Sequence, residues 1–161
     1  MRVRLKPMSS RAVLLGMLAL ISLGVGAVWL KVHAQPEPQP YSVQFGSSSY
    51  TVGEADGTVT ITVTLSQSSS ETVTVDYATS DGTATGSANG GEDGGDYGTV
   101  SGTLTFLSGQ TSKTIVINIY SDFCCEGNET FTVTLSNPSG GSLGSPSSTT
   151  VTILDDDSGC P

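Results

Sequence analysis

The sequence predicts an all-β domain in which about seven strands form two antiparallel sheets packed as a sandwich. Three observations carry this. Apolar and polar residues alternate with period two in run after run. β-Branched residues fill both faces of those runs, as a pleated surface favours. Clusters of Gly, Ser, Asn and Pro separate one run from the next.

The chain begins with a segment of another kind. Arg2, Arg4, Lys6 and Arg11 precede an uncharged apolar run from Ala12 to Leu30, and Val32-His33-Ala34 follows. A basic start, an apolar middle and a small-residue exit read as a secretory signal peptide over residues 1–34, cleaved after Ala34. The apolar run is close to the ~20 residues that span a bilayer as a helix. An uncleaved membrane anchor is therefore the alternative, and the only route by which this chain would meet a membrane. Both readings place the domain outside the cytoplasm, secreted or on the extracellular face of the membrane. Residues 35–40 are Pro-rich and read as a short extended linker.

The strands follow in order. Thr58 to Leu65 alternates strictly, with Val59, Ile61, Val63 and Leu65 on one face and threonines on the other. Val73, Val75 and Tyr77 repeat the pattern, as do Leu104 with Phe106, Ile115 with Ile117 and Ile119, Phe131 with Val133 and Leu135, and Val151 with Ile153. Turns are expected at 66–70, at Ser80-Asp81-Gly82, at Ser108-Gly109-Gln110 and over 138–148. The segment 86–95 is Gly-rich, carries Glu92 and Asp93, and is expected to be a loop. One buried face per strand at this spacing makes a sandwich over residues 41–157, with 158–161 as a tail. A closed β-barrel is the alternative arrangement of the same runs.

Charge narrows the function classes. Five of the six Lys and Arg lie in residues 1–34, whereas all fifteen acids lie after them. Residues 35–161 thus set Lys113 against fifteen carboxylates, a net charge of −14. Such a surface repels nucleic-acid phosphates and anionic lipids. The same residues hold no His, no Arg and no Trp. Nucleophilic triads lack their base, and no aromatic platform accompanies a carboxylate pair, so the chain reads as no enzyme.

The acids are grouped. Asp155, Asp156 and Asp157 close the last strand. Asp122, Glu126 and Glu129 occupy one loop and the start of the strand after it. Glu54 ends an early strand and Asp96 ends the Gly-rich loop. Adjacent aspartates repel unless water or a cation screens them. Calcium takes six to eight oxygens at ~2.3–2.6 Å, and loops meeting at one end of a sandwich can supply them.

Several ordered motifs resemble the Calx-beta domain, a module of sodium–calcium exchangers, integrins and bacterial surface proteins. They are residues 73–85 with their Asp81-Gly82, residues 102–106, the run Glu126-Gly127-Asn128-Glu129-Thr130-Phe131 continuing to Pro138, and residues 151–157 with the terminal aspartates. The resemblance spans 41–157. It implies an immunoglobulin-like sandwich with calcium bound at one tip. It also implies a ligand set: Glu54, Asp96, Asp122, a contribution from Cys124 through its backbone carbonyl, Glu126, Glu129, Asp155, Asp156 and Asp157. Ser121 stands where members with the fullest acidic set carry an aspartate, and the 86–95 loop is longer than usual. Asp81-Gly82 is read as a turn, not as a ligand.

If the acidic loop and the chain end build one tip, Cys160 lies near Cys124-Cys125 and bridges to one or the other. The function expected is an extracellular calcium-binding module whose ions tie the tip loops together. The alternative is a non-catalytic adhesion or structural domain that binds no ion and presents its neutral Thr/Ser-rich sheet surface to a protein partner at the cell surface.

Overall fold

The computed structural model describes residues 41–92, 94–122 and 126–157. Residues 1–40, Asp93, Phe123, Cys124, Cys125 and 158–161 lie outside the described residues. With them lie the leader or anchor, the linker, the C-terminal tail, the Cys124 carbonyl and the Cys160 bridge. The described residues belong to one compact unit. Among the described residues no helix is long and apolar enough to cross a membrane.

The described residues form eleven strands: β1 (Ser42–Phe45), β2 (Ser49–Gly53), β3 (Thr58–Leu65), β4 (Val73–Asp81), β5 (Gly86–Ser87), β6 (Tyr97–Gly98), β7 (Ser101–Phe106), β8 (Ser112–Asn118), β9 (Glu129–Ser139), β10 (Ser142–Leu143) and β11 (Ser148–Leu154). A 3₁₀ turn, Glu54–Asp56, follows β2. One sheet runs β10-β1-β3-β8, the other β2-β11-β9-β4-β7, and β5 pairs with β6. The alternating faces meet between the two large sheets. Val43, Ile61, Val63, Val73, Val75, Phe106, Ile117, Phe131, Val133 and Val151 are wholly or almost wholly shielded from solvent there. The sandwich is therefore the one that period-two patterning predicts.

Three pairings differ from an all-antiparallel arrangement. β1–β10, β2–β11 and β5–β6 are parallel. The first two share a cause. The N-terminal segment passes from one sheet to the other between β1 and β2, and the C-terminal segment does so between β10 and β11. Two segments that switch sheets side by side in the same direction pair in parallel in both sheets. These short pieces also raise the strand count above seven. Two further expectations change. The Gly-rich segment contributes Gly86 and Ser87 to β5, and Asp81 belongs to the end of β4 and not to a free turn. β9 runs on through Pro138 because Asn137 adopts φ +48° and the β4–β9 register slips there by one residue, a bulge that tolerates the missing N–H.

The hydroxyl of Tyr50 on β2 ties the two sheets by accepting the backbone N–H of Thr62 on β3 at 3.1 Å. Tyr50→Phe is expected to lower stability by about 1 kcal/mol in denaturant unfolding, with calcium affinity unchanged.

All strand ends that bear the grouped acids lie at one pole. Leu154 of β11 stands opposite Gly53 of β2, Ile153 opposite Glu129 of β9, Asp81 of β4 opposite Phe131, and Asn118 of β8 opposite Thr58. Alternating strand direction delivers an end or a start of each strand to that pole, which is how residues distant in sequence become neighbours.

Candidate metal centre

Glu54, Asp96, Asp122, Glu126, Glu129 and Asp155 line a single cleft at this pole, together with Tyr120, Gly127 and Ile153. Each acid is placed by a strand terminus. Glu54 opens the 3₁₀ turn after β2; Asp96 immediately precedes β6; Asp122 follows β8; Glu126 and Glu129 precede and open β9; Asp155 follows β11. Two groups bring carboxylate oxygens within 4.8 Å of one another: Glu54 with Asp155 and Asp157, and Asp96 with Glu126 and Glu129. Oxygens that share one calcium at ~2.3–2.6 Å are at most about 5 Å apart. The spacing therefore fits a common ion.

Backbone donors fix the carboxylates. Asp96 Oδ2 accepts the Thr85 N–H at 2.6 Å, while the Asp96 N–H donates to the Thr85 carbonyl at 2.8 Å. Glu54 Oε1 accepts the Asp122 N–H at 2.8 Å. Asp155 Oδ2 accepts the Gly127 N–H at 3.0 Å, and the Asp155 N–H donates to Asn128 Oδ1 at 3.2 Å. The last pair joins the acidic loop to the segment after β11, so these two sequence-distant acidic runs do share a tip. Asp157 donates its N–H to Asp155 Oδ1 at 2.9 Å, which folds the terminal aspartates back on themselves. Asp156 is exposed and stands in neither group.

The field at this pole is uniformly negative. Lys113, the only cation after residue 34, stands on β8 opposite Val63, well along the strand from the pole. Burial first, then the hydrogen bond with Asp96 and the charges of Asp96, Glu126 and Glu54, push the Glu129 carboxyl up to about 7. Burial and then Asp96, Asp122, Glu54 and Asp155 raise Glu126. Burial and then Asp155, Asp156 and Asp122 raise Asp157. Without a cation, burial and mutual repulsion shift these carboxyls toward the protonated form. The donors are all oxygen, with no imidazole or thiolate in either group, a set suited to a hard cation.

The Calx-beta domain family model matches residues 37–157. The chain belongs to the Calx-beta domain family. Sodium/calcium exchanger 1 of Canis lupus familiaris is 36% identical over 103 residues, covering 53% of this chain and 10% of the relative. The same protein of Cavia porcellus matches equally. This Calx-beta domain thus spans about a tenth of the curated relatives it matches. Among solved structures, the apo-form Calx CBD1 domain is 35% identical with a TM-score of 0.65, covering 73% of this chain and 98% of that one. The calcium binding domain CBD12 of CALX1.1 is 36% identical with a TM-score of 0.64, covering 71% and 46%.

Sequence reasoning on the Calx-beta pattern missed several contributors. Tyr120 lines the cleft, Thr85 and Gly127 hold carboxylates through backbone N–H groups, and Asn128 caps Asp155. Backbone donors leave no trace in residue type. Asn128, between two predicted glutamate ligands, carried the one readable signal.

Proposed function

We propose that this Calx-beta domain binds calcium at the acidic pole, and that the ion tethers the loops from which the ligands come. The observation that carries the reading is the pair of carboxylate groups, each with oxygens within 4.8 Å, drawn from segments far apart in sequence. Asp96, Glu126 and Glu129 form one site. Glu54, Asp155 and Asp157 form the other, with Asp122 beside both groups in the cleft and the Cys124 carbonyl as a further donor. Asp156, exposed, adds to the attracting field more than to coordination. A divalent ion favours the ionised form of the raised carboxylates and converts mutual repulsion into attraction to a common centre. The relatives that carry calcium in their names, identical at about a third of the aligned residues, support the same reading.

The role is binding and rigidification, not catalysis. The basic and apolar residues of 1–34 support export, and the acidic surface suits millimolar extracellular calcium. A bridge from Cys160 to Cys124 or Cys125 would hold the chain end to the acidic loop; the bonds between Asp155 and Gly127 and Asn128, on the described flanks of these cysteines, support it.

Calorimetric titration of the full chain tests the reading. Calcium is expected to bind at ~10⁻⁴–10⁻³ M, the range of extracellular calcium modules. Absence of binding heat up to tens of millimolar calcium, with a chelator-treated sample as reference, would refute it. A second reading then gains force, because the outer face of β3 and β8 is free of charge: Thr58, Thr60, Thr62, Thr64, Ser112, Thr114, Asn118 and Val116, the last 56% exposed. Such a face suits a protein partner at the cell surface.

A pH dependence follows from Glu129. Its ordinary value is 4.5 and its folded value about 7. An acid raised on folding favours the folded state while protonated. Its contribution is complete below about 4.5 and is lost as pH rises through about 7. In chelator the melting temperature is expected to fall across this window. In saturating calcium the fall should vanish, because the ion takes over the protons' role. Asp76, lowered by its bonds to Thr103 and Asn137, acts below this window and does not mask it. Parallel pH curves with and without calcium would contradict the assignment.

A further inference from the structure

Asp81 terminates β4 and stands in neither carboxylate group, yet its side chain is committed. Asp81 Oδ1 accepts the Tyr97 hydroxyl at 2.5 Å and the Gly86 N–H at 3.0 Å. Tyr97 is fully buried, and its ring stacks on Phe131 with centroids 3.9 Å apart and planes 7° from parallel. Phe131 is itself the backbone partner of Asp81 across the β4–β9 ladder. The three side chains thus form a closed contact: carboxylate to hydroxyl, ring to ring, strand to strand.

This contact lies directly beneath the Asp96–Glu129 pair. Asp96 immediately precedes Tyr97, and Glu129 stands two residues before Phe131 on the same strand. Tyr97 pairs with Gly86 on one side and Ile119 on the other, so its backbone cannot shift alone. The packing is closed around Gly86 as well: a Cβ there would meet Asp81 Oδ1 at 2.9 Å and Tyr97 Cζ at 3.0 Å.

We propose that Asp81 is a positioning residue for the ion site, acting through Tyr97 to hold Asp96 at the distance from Glu129 that an ion requires. Asp81 clamps the Tyr97 hydroxyl, the clamp keeps the ring flat on Phe131, and the stack sets the separation of the two residues that carry the ligands. The inference rests on the calcium reading of the pole.

Calorimetric calcium titration, paired with melting in chelator, tests it on full-chain variants. Tyr97→Phe keeps the stack and removes the hydroxyl. It is expected to weaken calcium binding about tenfold, as loss of an outer-shell partner does. Asp81→Ala should do the same, Asp81→Asn should restore most of the affinity by retaining an acceptor oxygen, and the double variant should lose no more than either single one. Asp76→Ala is the control. Asp76 lies on the same strand and accepts two side-chain bonds, from Thr103 at 2.6 Å and Asn137 at 3.1 Å, and it neither lines the cleft nor belongs to a carboxylate group. It should lower the melting temperature and leave calcium affinity intact. Wild-type affinity in Tyr97→Phe, or an equal affinity loss in Asp76→Ala, overturns the positioning role while leaving calcium binding in place. No binding by the unaltered chain overturns both.

Discussion

Saturating calcium is expected to raise the melting temperature of the full chain by about 10 °C over its value in chelator. At a hundredfold excess over the dissociation constant, one site stabilises the folded state by about 2.7 kcal/mol. A domain of this size shifts by roughly 4 °C per kcal/mol. The effect is selective for the folded state because the ligands meet only there. Asp96 reaches Glu126 and Glu129, and Glu54 reaches Asp155 and Asp157, through strand pairing that the unfolded chain lacks. Magnesium should do less. It demands a small octahedral shell and gives up its waters reluctantly, whereas these groups hold several carboxylates on separate loops. Superimposable melting curves in calcium and chelator would sink the calcium reading and favour the charge-free face of β3 and β8 as the working surface.

Glu129→Gln is expected to move stability in opposite directions with and without calcium. In chelator the variant should melt at a higher temperature than the unaltered chain at neutral pH. Glu129 is half-buried beside Asp96, Glu126 and Glu54, and a neutral amide both ends that repulsion and donates to Asp96. In calcium the order should reverse. Loss of one ligand charge from a site with three carboxylates should weaken binding tenfold or more. Asp156→Asn, at an exposed position outside both groups, should change both quantities little. A variant that loses stability in both conditions would mean that Glu129 serves the fold and not the ion. Differential scanning calorimetry of the three proteins in the two buffers reads all of this.

The strand faces were legible because burial is written locally. Val59, Ile61, Val63 and Leu65 declare a buried face at every second position, and all four are buried. The acidic runs were legible for the same reason: Asp155 to Asp157 and Glu126 with Glu129 sit close in sequence and close in space. The parallel pairings of β1 with β10 and of β2 with β11 were not legible. They follow from two segments that change sheets at loops whose composition resembles any other turn.

Sequence alone therefore determined that this chain is a β-sandwich with a concentration of carboxylates and almost no compensating cation. Alternation and charge are properties of short runs, and each run carries them without reference to the others. Only the tertiary structure decided how the acids divide. Glu54 joins Asp155 and Asp157, Asp96 joins Glu126 and Glu129, and Asp156 remains outside although it lies between two members of the first group. It alone also decided that Asp81, a turn residue by its Asp-Gly context, grips a buried tyrosine. The register of one strand against the next settles which side chains meet, and register depends on the packing of the whole sandwich, which no short run encodes.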